Sequence, residues 1–421
     1  MAYQSPGVYV EEVPSAIKAI AGASTSTPVF IGVVPASVDL VARDQTNPSA
    51  VKYFEFTVTT PVNTPKLVTS FSEFAGLFGG LVAGPNDTTP SAASPAPAID
   101  PGQQTLARAV FGFFNNGGSS CYVMRVAQAT DVALPATLAA LEPIDDISLV
   151  AMPGETSDAN RAAIIAHCST VGNRFAIFDG PETVSDITTL PHTPSGTPAG
   201  VAPSRTDMAA WYFPWIKVFD PATKLLQPSG NGVINTPPSG HLAGLYARVD
   251  NQRGVHKAPA NEVILGALGV SQAISKSQQD KLNPKGVNCI RAMNGNVTVW
   301  GARTVGGDDN ADLKYINVRR TLLFLRQSIE DGTQWVVFEP NSPALWQKIV
   351  RNITGFLLTV WRAGALFGTT QQEAFYVKCD AETNPPELRE LGQVVTEIGV
   401  SIVRPAEFVI FRISQFVASG K

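Results

Sequence analysis

Three compact apolar runs with a helical stretch between two of them constrain this chain more than any other feature. CYVMRV (121–126), ISLVAMPG (147–154) and RFAIFDGP (174–181) are nearly continuous in apolar residues. That pattern belongs to strands buried on both faces. Between the second and third, SDANRAAIIAHCSTVGN (157–173) sets Ala162, Ile165 and Cys168 at helical spacing, with Asp158 near its start and Gly172 near its end. A strand-helix-strand unit follows, and its crossover makes the two strands parallel.

A second apolar block opens near VNCIR (287–291). KYINVRRTLLFLRQSIEDGTQ (314–334) reads as a helix with Val318, Leu322, Leu325 and Ile329 on one stripe. QWVVFEP (334–340) reads as a strand, and SPALWQKIVRNITGFLLTVWRAG (342–364) as a long helix with Ser342 as cap and Pro343 in its first turn. EAFYVKCD (373–380) and PAEFVIFRISQFV (405–417) read as further strands, so this part is α+β. At the other end, SPGVYVEEVP (5–14) is a short strand framed by prolines, followed by a loose connector. No strand partner is near it in sequence. Its partner lies far along the chain or on another chain. Three Pro/Gly/Ser-rich stretches, 84–102, 190–206 and 227–240, punctuate the rest. The length of 421 residues suggests two to four domains.

The residues point away from catalysis. There is no GxxxxGK[ST], HExxH or GxSxG, and His167, His192, His241 and His256 are not paired at ligand spacing. A combination such as Ser120, His167 and Asp179 can be drawn, but scattered residues of these types occur in any chain this long. The carboxylate pairs Glu11/Glu12, Asp145/Asp146 and Asp308/Asp309 suit turns and solvation. Cys121, Cys168, Cys289 and Cys379 lack metal-binding spacing. No metal or other cofactor is expected. A net charge of -4 argues against nucleic acid, so Arg303, Arg319 and Arg320 are expected in structural salt bridges or subunit contacts. No run approaches the ~20 apolar residues of a membrane span. Glu11 and Glu12 stand where a secretory signal would need cationic and apolar residues. Synthesis in the cytoplasm without membrane insertion is the expectation.

An ordered series of motifs then carries a resemblance. It comprises SPGVYVEEVP, YFPWIKVFDP (212–221), PPSGHLAGLYARVDNQRGVHKAPAN (237–261), LNPKGVNCIR (282–291), VWGARTV (299–305), YINVRR (315–320), GTQWVVFEPN (332–341), EAFYVKCD and PAEFVIFRISQ (405–415). Together these resemble contractile tail sheath proteins of phages and phage-tail-like injection particles. The resemblance implies a subtilisin-like α/β middle domain without protease activity, an α+β C-terminal sheath domain, and extended N- and C-terminal arms. The implied division is an arm and connector (1–25), a variable region (26–105), the subtilisin-like domain (106–285), the C-terminal domain (286–404) and an arm strand (405–421). Val8, Tyr9, Val10 and Val13, with Phe408, Val409, Ile410, Phe411 and Ile413, would be the strands that cross between subunits. The implied assembly is a sheath of stacked sixfold rings around an inner tube protein, with baseplate and tail-end cap proteins as further partners, in a phage tail or a released phage-tail-like particle. Lys348, Arg351 and Arg362 are the candidate tube contact, on a helix whose apolar side carries Leu345, Ile349, Ile353, Phe356 and Val360. The competing expectation is an inactive or atypical hydrolase on a subtilisin-like fold.

Overall fold

The computed structural model describes residues 19–44, 46–47, 50–92, 97–191, 201–408 and 410. In chain order it opens with β1 (Pro28–Val33), the hairpin β2 (Ser37–Arg43) and β3 (Val51–Thr57), then β4 (Lys66–Val68), α1 (Phe71–Phe78) and α2 (Pro101–Asn115). Next come β5 (Cys121–Val126), α3 (Pro135–Ala139), β6 (Leu149–Ala151), α4 (Asp158–Val171), β7 (Phe175–Asp179), β8 (Ala209–Phe213), β9 (Ile216–Phe219), α5 (Pro221–Leu226), β10 (Val233–Thr236) and α6 (Ser239–Arg253). β11 (Glu262–Val263), β12 (Ala267–Val270), α7 (Lys276–Leu282), β13 (Val287–Met293), β14 (Asn296–Trp300) and α8 (Ile316–Thr333) follow. Last are α9 (Pro343–Arg362), α10 (Gln371–Ala374), β15 (Phe375–Lys378), α11 (Pro386–Glu390) and β16 (Glu397–Val400).

A nine-stranded sheet in the order β11-β14-β13-β8-β7-β6-β1-β5-β4 organises the larger unit. From β13 to β5 every neighbouring pair is parallel, while β4, β14 and β11 are antiparallel additions at the two edges. The apolar runs read from sequence are its middle. Val29, Phe30, Ile31, Val123, Met124, Val150, Ala176 and Ile177 are fully buried, as strands covered on both faces require. The expected strand-helix-strand unit is β6-α4-β7, with Leu149 beside Phe175 in parallel register. Ser157 caps α4 and Gly172 ends it at φ 77, a left-handed turn that costs glycine nothing. The buried stripe of α4 differs from the one expected: Ala162 is exposed, and Ile164, His167 and Cys168 face inward. On one side of the sheet α6 lies against α2 at backbone distance. A Cβ on Gly240 would sit 2.4 Å from the Ala109 carbonyl, so the small residues of SGHLAG set that approach.

The chain divides between Phe324 and Leu325, not at the expected 285/286. VNCIR does not begin a new domain: it is β13, which pairs in parallel with β8 and joins the same sheet. The segment expected to be a variable region, 26–105, supplies β1, a central strand, so the expected boundary at 105/106 cuts this unit and runs through α2. Of the Pro/Gly/Ser-rich stretches, 227–240 is not a plain loop but carries β10 and the start of α6, and residues 93–96 and 192–200 of the other two lie outside the described residues.

The smaller unit comprises Leu325–Ser401 and residues 19–23. Its helix α9 is capped by the Ser342 hydroxyl, which accepts from the Leu345 amide, with Pro343 in the first turn as expected. Leu345, Trp346, Ile349, Ile353, Phe356, Leu357 and Val360 form its buried stripe. The strand expected at 334–340 is absent: Gln334–Val336 is a 3-10 turn, and Phe338 stands fully exposed at φ 69. No strand lies alongside that run among the described residues, and a strand without a partner leaves its backbone groups unpaired. β15 and β16 form an antiparallel pair, Phe375 opposite Val400 and Lys378 opposite Glu397. The segment from 405 onward is not a strand where it is described, and Phe408 and Ile410 are 71% and 79% exposed. Val409, Phe411 and Ile413 lie outside the described residues, as do Val8, Tyr9, Val10 and Val13.

Candidate functional site

The histidine and the aspartate of the triad that could be drawn are held in structural contacts. His167 Nε2 lies 2.6 Å from Arg174 Nη1, and burial together with that guanidinium holds its pKa down at about 4. Asp179, at the end of β7, accepts from the Ser239 amide (2.8 Å), the Ser239 hydroxyl (2.6 Å) and the Gly154 amide (3.0 Å). It thus satisfies the first turn of α6 from a neighbouring strand, where Pro238 has no capping side chain. His241 is buried and pushed down to about 4. His192, Glu11 and Glu12 lie outside the described residues. Among the described residues no three His, Cys, Asp or Glu side chains group as metal ligands, and no helix is long and apolar enough to cross a membrane.

Burial pushes the Asp179 carboxyl up from 3.8 to about 6. The folded chain therefore holds this proton more tightly than the unfolded one, so the contribution is full below the unfolded value and is lost as pH rises through about 6. The unfolding free energy of the native chain minus that of Asp179→Asn should fall by about 3 kcal/mol between pH 3.5 and 7. A difference that stays flat across this range would mean that the carboxyl titrates as an ordinary one.

The arginines singled out in VWGARTV and YINVRR are ion-paired as expected. Arg319 meets Asp207 at 3.1 Å, and Arg320 meets Asp250 at 2.6 Å with both side chains under 5% exposed. Arg320 also lies over the Tyr246 ring and donates to the Thr25 carbonyl. Arg303 holds Asp308 and Glu407. The arginines stood out in sequence, but their partners Asp207, Asp250 and Glu407 did not, because nothing local marks a carboxylate that is distant along the chain.

Two surfaces of the smaller unit remain open. The first is the outward side of α9, where Lys348, Arg351 and Arg362 are all exposed and, among the described residues, in no ion pair. Arg351 also lines a shallow groove of about 690 Å³ with Gln347, Val350, Thr354, Leu358 and Lys378 of β15. Lys348 and Arg362 do not line it. The second is the β15–β16 ladder, only four residues long, in which neither strand has a second neighbour among the described residues. A pair this short is marginal alone, and its outer edges present hydrogen-bonding groups to any extended segment that reaches them.

Comparison with known proteins adds two family matches, "Phage tail sheath protein central domain" over residues 127–305 and "Phage tail sheath C-terminal domain" over 308–416. The "Tail sheath protein" of Burkholderia phage BcepMu is 28% identical over 231 residues, covering 52% of this chain but 46% of that protein, so the chain spans about half the length of that relative. Among solved structures, an "Extracellular Contractile Injection System, PVC sheath complex in contracted state" superposes with a TM-score of 0.72 at 28% identity, over 99% of both chains. The "anti-feeding prophage (AFP) helical sheath in contracted state" gives 0.69 at 27% identity, over 99% of this chain and 100% of that one.

Proposed function

The chain belongs to the phage tail sheath family, and from that premise we propose that it is the structural, non-enzymatic subunit of a contractile sheath, built as stacked sixfold rings around an inner tube that contraction drives through a target envelope. The observation that carries this reading is the β15–β16 ladder, whose two edges have no further strand among the described residues. In the assembled sheath the arms, with Val8, Tyr9, Val10 and Val13 at one end and Phe408 to Ile413 at the other, add strands to this ladder in neighbouring subunits. Backbone hydrogen bonds then tie the lattice while the segments beside the strands act as hinges. The parallel-sheet unit is read as the subtilisin-like middle domain with its catalytic role absent, in keeping with the uses found for His167 and Asp179. Contraction is read as passage between two packings of nearly rigid subunits, the extended one held kinetically.

The inner tube is gripped by the cationic side of α9. A grip that must release is best made of exposed ion pairs, each worth about 0 to 1 kcal/mol and screened by salt, repeated over many subunits. Baseplate and end-cap proteins meet the two ends of the same lattice. Reversing Lys348 and Arg351 to Glu should leave subunits that still polymerise alone, with extended sheath on tube reduced at least tenfold in electron micrographs. Normal yield of tube-filled extended sheath from that variant would remove α9 from the interface.

A further inference from the structure

Beside the C-terminal segment lies a side-chain socket that the proposed function leaves unused. Glu407 is the last charged residue before the exposed Phe408 and Ile410. Its carboxylate accepts four hydrogen bonds: from Arg303 Nε (2.9 Å) and Nη2 (2.8 Å), from the Tyr315 hydroxyl (3.0 Å) and from Asn283 Nδ2 (2.5 Å). The donors come from three places in the larger unit: the turn after α7, the turn after β14 and the start of α8. Arg303 is 3% exposed in its side chain and is itself fixed, since its amide donates to Asn288 Oδ1 (2.8 Å) and Asn288 Nδ2 donates to its carbonyl (2.8 Å). Asn288 belongs to β13, so the socket is tied to the sheet. Just upstream, Asn317 Nδ2 donates to the Val403 carbonyl at 3.1 Å. The chain is therefore held up to residue 407, and the next described side chains stand in solvent.

We propose that Glu407 is a register-setting residue: by locking into the Arg303–Tyr315–Asn283 socket it fixes the point from which the C-terminal strand leaves, and so fixes which face of that strand a second copy of the chain meets. The proposal rests on the strand exchange put forward above. Its physical basis is the two-residue period of a strand, in which a slip of one residue turns every side chain to the opposite face. Short, edge-paired strands specify their own register weakly. An origin pinned by a two-nitrogen Arg–carboxylate contact supplies what such a ladder lacks. The socket is built for a carboxylate at this position, because Arg303 and Tyr315 are both mostly buried and Asp308, the other acid on Arg303, sits on a different guanidinium nitrogen.

Two measurements test this. In the purified, unassembled subunit, Glu407→Gln should speed backbone hydrogen exchange over residues 402–408 at least tenfold while β13 and β14 keep their protection. Unchanged exchange at 402–408 would overturn the lock, whatever the protein assembles into. In assembly, one alanine inserted between Glu407 and Phe408 should cut pelletable sheath at least tenfold, and combining the insertion with Glu407→Gln should recover much of it, because a freed origin can slip back by one residue. Wild-type yield from the insertion alone, or no recovery in the combination, would overturn the register role. A chain cut after Glu407 distinguishes the two levels: if it polymerises normally, strand exchange fails while the exchange result on the lock stands.

Discussion

Replacing Arg320 with Met is expected to destabilise the larger unit by about 3 to 5 kcal/mol, because it leaves the Asp250 carboxylate buried without its partner. Both side chains are nearly inaccessible, 3% and 4% exposed, and Arg320 donates to both Asp250 oxygens at 3.0 and 2.6 Å. Thr25 Oγ1 still donates to Asp250 at 2.7 Å, but one neutral hydroxyl does not compensate a buried charge. The same variant loses the guanidinium over the Tyr246 ring, whose hydroxyl is 2.6 Å from that of Tyr212. Urea unfolding measures the loss. Removing the charge from both partners, as Arg320→Met with Asp250→Leu, should restore most of it, since replacing a buried pair by apolar groups is often close to neutral. A single variant within 1 kcal/mol of the native chain would mean that Asp250 is solvated or neutral in the fold.

Removing residues 1–14 is expected to abolish sheath formation while leaving the subunit folded. These residues lie outside the described ones, and the core formed by the described residues begins at Val29. In the proposed lattice they supply one of the strands that complete β15–β16 in another subunit, so their loss removes a tie at every repeat. Pelletable tubes should drop at least a hundredfold, with the circular dichroism and melting temperature of the subunit kept. Long sheaths from the shortened chain would refute the N-terminal strand as a link.

Much of the fold was legible because its strongest elements advertise themselves locally. CYVMRV matches β5 residue for residue, and RFAIFDGP and ISLVAMPG contain β7 and β6, since strands covered on both faces must be apolar throughout. The capped N-terminus of α9 was equally local. What failed was whatever depends on neighbours. QWVVFEP has strand composition but no strand beside it among the described residues, and VNCIR looks like a new beginning because its partner β8 is distant in sequence. The cationic residues of α9 could be named from spacing alone, whereas the groove that takes Arg351 and omits Lys348 needs the position of β15. The Glu407 socket had no signature, being assembled from three separated turns.

The position of β1 has a further consequence, for how quickly the chain reaches its native state. β1 lies between β5 and β6, both made much later in synthesis, and it pairs with neither hairpin strand that follows it. Until those partners exist, Val29, Phe30 and Ile31 have no sheet to enter, and both edges of the strand are free to bind other chains. Pairings of such long sequence separation are slow to close, and they leave sticky surface exposed while they wait. Aggregation during expression should therefore be most sensitive to temperature and translation rate through this one short strand near the N-terminus, long before the surfaces that build a lattice are complete.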